Sequence, residues 1–318
     1  MTSLASFHEL GRRYGDLTVV DRLTFDVPEG AVTGLLGPNG AGKTTSIRML
    51  LGLTRPTSGS VTLLGAAPGG AGFADAVRRV GSLIEGPALY ARASARDNMR
   101  IEAAARGLDP AAARIEELLA FVGLADRAGS RAGTFSLGMK QRLGLALALI
   151  GEPRLVVLDE PTNGLDPAGI VEMRELIARL PERGTSVLVS SHLLSEVQLM
   201  CDRATIIHHG RLVAQGTMDE LLAGQGGGLG FTVRVPGGDA GRAREVLAAA
   251  GLTVGAGDGG ALAVSGEIAD GTDISRPLAG AGIHVSELVR RSASLEDVFL
   301  SLTGDDDATA VTAEEVAA

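Results

Sequence analysis

The chain contains one cysteine, no tryptophan and no long apolar run. A lone cysteine, Cys201, excludes an internal disulfide framework and a zinc site built from cysteines, and we expect it to be a small buried packing residue. The most apolar run, 143–150, is far shorter than the ~20 residues of a membrane-spanning helix. Charged residues at positions 9, 12 and 13 leave no room for a secretory signal. The sequence therefore predicts a protein that stays in the cytosol and leaves membrane spanning to another polypeptide.

Positive charge is also scarce. The chain has 29 basic and 38 acidic residues, and its net charge of −9 argues against a nucleic-acid partner bound through a broad basic surface. Only two basic residues, Lys43 and Lys140, are lysines, so a lysine inside a motif is informative. Apolar residues make up 45% of the chain, which is enough for a sizeable core.

Short apolar runs alternate with helical patterns between residues 31 and 207. This alternation predicts an α/β fold with a mostly parallel sheet covered by helices on both faces. Two earlier short strands are expected at 5–7 and 23–27. The strands expected in the alternating part are 31–36, 155–158, 186–190 and 204–207, and the helices are 46–52, 172–180 and 193–200.

Changes in composition predict the domain boundaries. An α/β domain over 1–224 is interrupted by a helical block at about 86–152, with helices at 96–106, 111–122 and 136–150. A glycine-rich stretch, 225–230, is expected to be a linker. A small α+β module of βαββαβ order follows at 231–302, and then a disordered acidic tail at 303–318. The module's expected strands are 231–235, 252–254, 261–264 and 283–288, and its expected helices are 240–250, 273–279 and 295–302.

Residues 37–44 fit the phosphate-binding loop G-x-x-x-x-G-K-[ST], between a buried strand and a helix. Its glycines let backbone N–H groups converge on phosphate oxygens, and the helix N-terminus adds the positive end of its dipole. Lys43 is expected to neutralise the β- and γ-phosphates, and the hydroxyl of Thr44 to bind Mg²⁺. The predicted phosphate-binding residues are Gly37, Pro38, Asn39, Gly40, Ala41, Gly42, Lys43, Thr44 and Thr45.

Two carboxylates, Asp159 and Glu160, follow the apolar run 155–158. Ligands bind at the carboxyl ends of parallel strands, where this pair is expected to lie. Asp159 is expected to hold Mg²⁺, directly or through water, and Glu160 to polarise the water that attacks the γ-phosphate. Together with the loop at 37–44, the pair predicts a P-loop NTPase.

Residues 135–142, Phe-Ser-Leu-Gly-Met-Lys-Gln-Arg, resemble the signature motif of ATP-binding cassette (ABC) ATPases, usually Leu-Ser-Gly-Gly-Gln. Ser136 and Gly138 match that motif, whereas residues 135, 137 and 139 depart from it. Ser136 is expected to cap the following helix and direct its N-terminus at a phosphate. The resemblance implies that this phosphate belongs to ATP bound on a second subunit.

Further segments stand where this family carries its other motifs. Residues 164–167 are similar to the D-loop of the dimer interface, and His192 to the switch histidine that touches the γ-phosphate. Tyr14 has the spacing of the aromatic residue that stacks on adenine. Glu85 occupies the Q-loop, where most members have Gln, and the resemblance implies that it ligates Mg²⁺. Bacitracin- and lantibiotic-type exporters often have Glu there.

The resemblance covers residues 3–222 and implies the ATP-binding and ATP-hydrolysing subunit of a bacterial exporter of drugs, antibiotic peptides or lipid-like cargo. Two such subunits, here expected to form a homodimer, would enclose two ATP molecules and move a separate permease at the cytoplasmic face of the cell membrane. The cofactors implied are ATP and Mg²⁺. The catalytic residues implied are Lys43, Glu160 and His192.

Other classes of P-loop protein agree less well with these motifs. An importer ATPase is the nearest alternative, but it usually has Gln at position 85 and a fuller signature. An ABC protein acting on ribosomes usually has two cassettes in one chain, and a chromosome-maintenance ATPase needs a long heptad insertion. A P-loop phosphotransferase lacks the 136–142 motif, and a regulatory module without turnover is disfavoured by Glu160 and His192. The cargo and the permease stay open.

Overall fold

The computed structural model describes residues 2–109, 113–223, 230–266, 268–291 and 294–303. The chain divides into two compact units, Met1–Met218 and Asp219–Ala318. Of the predicted linker, residues 225–229 lie outside the described residues, whereas Gly230 begins a strand. Of the predicted tail, residues 304–318 lie outside them, and Thr303 ends a helix.

The first unit alternates strands and helices after an opening β-hairpin. Its strands are β1 (Ser3–Tyr14), β2 (Leu17–Pro28), β3 (Val32–Leu36), β4 (Ser58–Leu63), β5 (Val80–Leu83), β6 (Leu155–Asp159), β7 (Ser186–Ser191), β8 (Arg203–His208) and β9 (Arg211–Thr217). Its helices are α1 (Lys43–Leu50), α2 (Phe73–Arg78), α3 (Ala95–Ala105), α4 (Ile115–Phe121), α5 (Leu137–Ala148), α6 (Pro167–Ala178) and α7 (Leu194–Gln198), and α8 (Met218–Ala223) follows where the units divide.

The predicted parallel sheet is present and has the order β5-β6-β7-β3-β8-β9. Only its last pair, β8 with β9, is antiparallel. Every residue of β3, β6 and β7 is buried, as expected for strands covered on both faces. Cys201 is buried too, and burial raises the pKa of its thiol, which confirms it as a packing residue.

A second, antiparallel sheet of order β2-β1-β4 was not predicted. The strands expected at 5–7 and 23–27 are parts of strands of 12 residues each. Register shifts between Phe7 and Leu10 and again between Leu10 and Arg12 interrupt the alternation of apolar and polar residues, so the pattern shows only fragments. The core joins this sheet to α1 and the parallel sheet, with Phe7 stacked on Phe25 at 4.0 Å. The phosphate loop therefore rests on a helix packed into the main core.

The helical block contains α3, α4 and α5, within the predicted bounds. The expected start of the next helix at residue 172 is wrong, because α6 begins at Pro167. Asp166 caps it by accepting a hydrogen bond from the N–H of Gly169 at 2.9 Å, and proline suits the first helical position. No helix in the described part of the chain is both long and apolar enough to span a membrane.

The second unit has the predicted βαββαβ order. Its four strands lie in the sheet order Thr253–Ala256, Leu262–Ser265, Gly230–Arg234 and Glu287–Arg291, which is that of the split ferredoxin-like pattern. The strand expected at 283–288 is wrong, since the strand begins at Glu287. Ile283 is buried, and its N–H donates to the carbonyl of Leu278 in the preceding helix. Its apolar side chain therefore belongs to the core and does not indicate a strand. The elements are β10 (Gly230–Arg234), α9 (Ala240–Ala249), β11 (Thr253–Ala256), β12 (Leu262–Ser265), α10 (Thr272–Gly280), β13 (Glu287–Arg291) and α11 (Leu295–Thr303).

Candidate active site

The phosphate loop joins β3 to α1 and lies close to neighbouring backbone. Gly42 has a φ of 97°, in the left-handed region that glycine adopts most easily. A Cβ built on Gly37 would lie 2.1 Å from the carbonyl oxygen of Ile207 on β8, so a larger residue would clash there. The loop therefore has the tight backbone course that a cradle for phosphate groups requires.

Lys43 begins α1, and its ammonium group is held inside the loop. Its Nζ donates to the carbonyl oxygens of Gly37 at 2.6 Å and Pro38 at 3.2 Å. The same Nζ lies 3.2 Å from Oε1 of Glu160, and the lysine side chain is only 6% exposed. The cation is thus fixed beside both the loop and the acidic strand end.

Asp159 ends β6 and accepts hydrogen bonds from two hydroxyl groups. Thr44 Oγ1 lies 2.8 Å from its Oδ2, and Ser190 Oγ lies 2.5 Å from its Oδ1. The in-register pairing of Asp159 with Ser190 on β7 places the second hydroxyl. A hydroxyl beside a carboxylate offers the hard oxygen ligands that Mg²⁺ prefers, and that ion usually keeps waters and substrate phosphates as further ligands. These residues therefore fit the predicted metal.

Glu160 follows in a left-handed backbone conformation, with a φ of 48°. Its N–H donates to Oγ of Ser190 at 3.0 Å, which holds this turn. Its carboxylate lies between Lys43 and His192, whose Nδ1 is 2.8 Å from Oε2. Burial acts to raise the pKa of Glu160, but the hydrogen bond with His192 and the charge of Lys43 outweigh burial and lower it. Glu160 is therefore an ionised carboxylate at neutral pH.

An open cleft of about 750 Å³ extends from this acidic edge. Glu85 lines the cleft, as do the other two predicted metal ligands, Thr44 and Asp159. The carboxylate of Glu85 forms an ion pair with Arg48 of α1. The structure thus brings Thr44 and Asp159 into direct contact and holds Glu85 against a cation. The charged and polar residues along the cleft are Thr44, Glu85, Lys140, Gln141, Asp159, Glu160 and Asn163.

The segment that resembles the signature motif begins α5. Ser136 is exposed and caps this helix, since its Oγ accepts a hydrogen bond from the N–H of Met139 at 3.2 Å. The side chain of Leu137 lies next to Gly164 in the segment similar to the D-loop. Neither Ser136 nor Gly138 is among the described residues that line the cleft. Leu137, Lys140 and Gln141 of the same helix do line it.

Tyr14, the predicted adenine-stacking residue, ends β1 and is 46% exposed. Its partner in the β1–β2 ladder is Leu17, two residues before Val19. A Cβ built on Gly42 would lie 2.7 Å from the carbonyl oxygen of Val19, so β2 borders the phosphate loop. The tyrosine is therefore accessible at a strand end close to that loop.

Sequence reasoning missed two residues at this site. The hydroxyl of Ser190 donates to the carboxylate of Asp159 and accepts from the backbone N–H of Glu160. Its position at the end of the strand expected at 186–190 was the available signal. Arg48 pairs with Glu85, and its place four residues after Thr44, on one helix face, was a weaker signal.

Comparisons with known proteins found matches to both parts of the chain. A family model described as ABC transporter matches residues 20–163, and a domain of unknown function, DUF8746, matches 231–296. A bacitracin transport ATP-binding protein of Bacillus licheniformis is 46% identical over 226 residues, covering 70% of this chain and 72% of that protein. A daunorubicin resistance ATP-binding protein of Streptomyces coeruleorubidus is 38% identical over 301 residues, covering 93% and 94%.

A solved structure described as the ATP-binding subunit of an ABC transporter shares 33% identity with a TM-score of 0.63, covering 71% of this chain and 94% of that one. Motifs, fold and relatives lead to one family. The chain belongs to the ABC transporter family, and it is the ATP-binding and ATP-hydrolysing subunit of an exporter.

Proposed function

We propose that this chain forms a homodimer that hydrolyses Mg²⁺-bound ATP and powers export of an antibiotic or related drug through a membrane permease. The observation that carries the catalytic part is the contact of Glu160 with both Lys43 and His192, at 3.2 and 2.8 Å. This contact supports the proposal because a cation, a carboxylate and a histidine lie in one group. The names of the bacitracin and daunorubicin relatives support the class of cargo.

The residues divide the chemistry among them. The phosphate loop and Lys43 bind the β- and γ-phosphates, so that charge developing on the transferred phosphoryl group is neutralised. Glu160, being ionised, orients the attacking water and takes its proton while the new P–O bond forms and the bond to the ADP oxygen breaks. His192 holds the carboxylate through its 2.8 Å contact.

Mg²⁺ would be held by Thr44 and Asp159, with Glu85 as the third proposed ligand. When bound, the ion supplies positive charge to the β- and γ-phosphate oxygens. The 2.8 Å hydrogen bond from Thr44 to Asp159 supports this assignment, because two of the proposed ligands are already adjacent.

The homodimer is proposed from the position of Ser136 and Gly138. They lie at the N-terminus of a helix of 12 residues, where backbone N–H groups favour an anion. Since Ser136 is exposed, a second copy could present this helix end to the γ-phosphate of the first.

Replacing Ser136 with arginine should therefore prevent the ATP-dependent dimer while leaving ATP binding to the single chain intact. The bulky cation occupies the proposed interface, whereas Lys43 and the phosphate loop are unchanged. Light scattering after size-exclusion chromatography, in a Glu160→Gln background that retains ATP, measures the mass. A stable ATP-bound dimer of the Ser136→Arg chain would show that this helix end is not at the interface.

Glu85 gives a second expected result. Glu85→Gln should retain Mg²⁺-dependent hydrolysis, because an amide oxygen can still ligate the ion, whereas Glu85→Ala should hydrolyse ATP poorly or fail to couple it to transport. Arg48→Ala is the matched control, since it removes the ion pair and keeps the carboxylate. Hydrolysis and transport are measured in membranes over a range of Mg²⁺ concentrations. If Arg48→Ala reproduces the defect of Glu85→Ala, the ion pair rather than the metal explains it.

The transport role is tested in bacteria that express this chain together with a permease encoded by an adjacent gene. Resistance to bacitracin-type peptides and to anthracyclines should rise, and only with Lys43 and Glu160 intact. Fractionation should place the chain at the inner surface of the cell membrane when the permease is present. No change in resistance to either class would overturn the proposed cargo, and a chain found in the soluble fraction alongside its permease would overturn the peripheral location.

We also propose that residues 1–224 form the ATPase domain and 231–302 a separate module. Support comes from the second family match, which begins at residue 231, and from the separate core of that unit.

A further inference from the structure

Two side chains on β1, Arg12 and Tyr14, are in direct contact. They stand two residues apart near the end of this strand. The guanidinium carbon of Arg12 lies over the ring of Tyr14, 4.3 Å from its centroid. The same guanidinium donates through Nη1 to the carbonyl oxygen of Arg55 at 2.8 Å. Arg12 is therefore fixed between a backbone acceptor and an aromatic face.

This contact restricts the tyrosine. Tyr14 is 46% exposed and sits at a strand end, where a ring has few neighbours to hold it. A guanidinium over one face, attracted by the ring quadrupole, holds the ring in place and leaves its exposed surface for a ligand. A ring held before binding loses less conformational entropy when a base stacks on it.

We propose that Arg12 is a positioning residue for the nucleotide base, forming a stack of guanidinium, tyrosine ring and adenine in that order. The inference rests on the proposed function, in which Tyr14 binds adenine. A different reading, that Arg12 attracts the phosphates by its charge alone, predicts a different set of affinities.

The experiment measures the Kd of ADP and of pyrophosphate, which lacks the base, by calorimetry on the full chain. Arg12→Ala should weaken ADP binding roughly 3- to 10-fold, as expected for loss of one cation–π contact and of preorganisation, and should leave pyrophosphate binding unchanged. In steady-state hydrolysis the KM for ATP should rise by the same factor with kcat retained. Arg13→Ala is the matched control, because Arg13 is the adjacent arginine and its guanidinium contacts Asp16 at 3.4 Å.

The double variant Arg12→Ala/Tyr14→Ala tests whether Arg12 acts through the tyrosine ring. In the Tyr14→Ala background Arg12→Ala should have no further effect on ADP binding. An equal loss in both backgrounds, an equal loss for pyrophosphate, or no loss at all overturns the positioning role. If Tyr14→Ala itself leaves ADP binding unchanged, the proposed adenine contact fails, and that failure is seen independently of Arg12.

Fluorescence supplies a readout in the absence of nucleotide. The chain has two tyrosines and no tryptophan, so Tyr90→Phe makes Tyr14 the sole emitter. Arg12→Ala should then lower the emission anisotropy of Tyr14, because the ring gains motion. Unchanged anisotropy would contradict the idea that Arg12 holds the ring.

Discussion

Replacing Glu160 with glutamine should lower kcat by at least about 100-fold, the typical loss when a general base is removed. Glutamine preserves the length of the side chain but cannot accept the proton of the attacking water. ATP should bind as tightly as before or more tightly, since Lys43 loses a carboxylate that lies 3.2 Å away. Steady-state hydrolysis and equilibrium binding of ATP check the two halves of this result.

The control for Glu160→Gln is Glu182→Gln, which changes a carboxylate on a surface turn between α6 and β7. It should retain normal turnover. Normal hydrolysis by Glu160→Gln would remove Glu160 from its catalytic role, whatever its contacts with Lys43 and His192.

Replacing Lys43 with alanine should weaken ATP binding by at least about 10-fold, because a charge-assisted hydrogen bond contributes about 1.5–3 kcal/mol. The ammonium is the cation in contact with Glu160 inside the phosphate loop. Its loss should also raise the pKa of Glu160, since the charge of Lys43 is one of the groups that lower it. Calorimetry with ATP and a pH profile of the remaining hydrolysis measure these effects.

Lys43→Met keeps the stem of the side chain and removes only the charge, so it should lose affinity to the same degree. Arg78→Ala, which removes a well-exposed cation from α2, should change nothing. If Lys43→Met bound ATP normally, the contribution of Lys43 would be packing of its stem, and the charge argument would be wrong.

Strands β3, β6 and β7 of the parallel sheet were predictable because they are fully buried and so appear as mostly apolar runs, such as β6 before Asp159. The antiparallel sheet was not, because bulges in β1 break the two-residue period on which strand prediction depends. The start of a helix is set by a single capping residue, which apolar periodicity does not reveal. The helix predicted to start at residue 172 therefore missed the cap at Asp166.

The candidate site shows the same division. Lys43, Thr44, Asp159, Glu160 and His192 were identified because each belongs to a motif whose spacing reflects its chemistry. Ser190 and Arg48 belong to no motif, and their roles come from strand register and helix geometry. The Arg12–Tyr14 contact likewise depends on the loop around Arg55, 43 residues away in the chain, which only the folded structure brings near.

The partners of Lys43 also bear on how the enzyme recycles. Its ammonium is satisfied by two carbonyl oxygens and one carboxylate, so nucleotide does not meet a bare charge. Binding is then an exchange of one set of partners for another, and the net gain in free energy is smaller than the contacts in the complex suggest. The same internal partners are ready to take the cation back when phosphate leaves. Such a site binds ADP and phosphate less tightly and releases them faster. Fast release suits an ATPase dimer that must open after each hydrolysis.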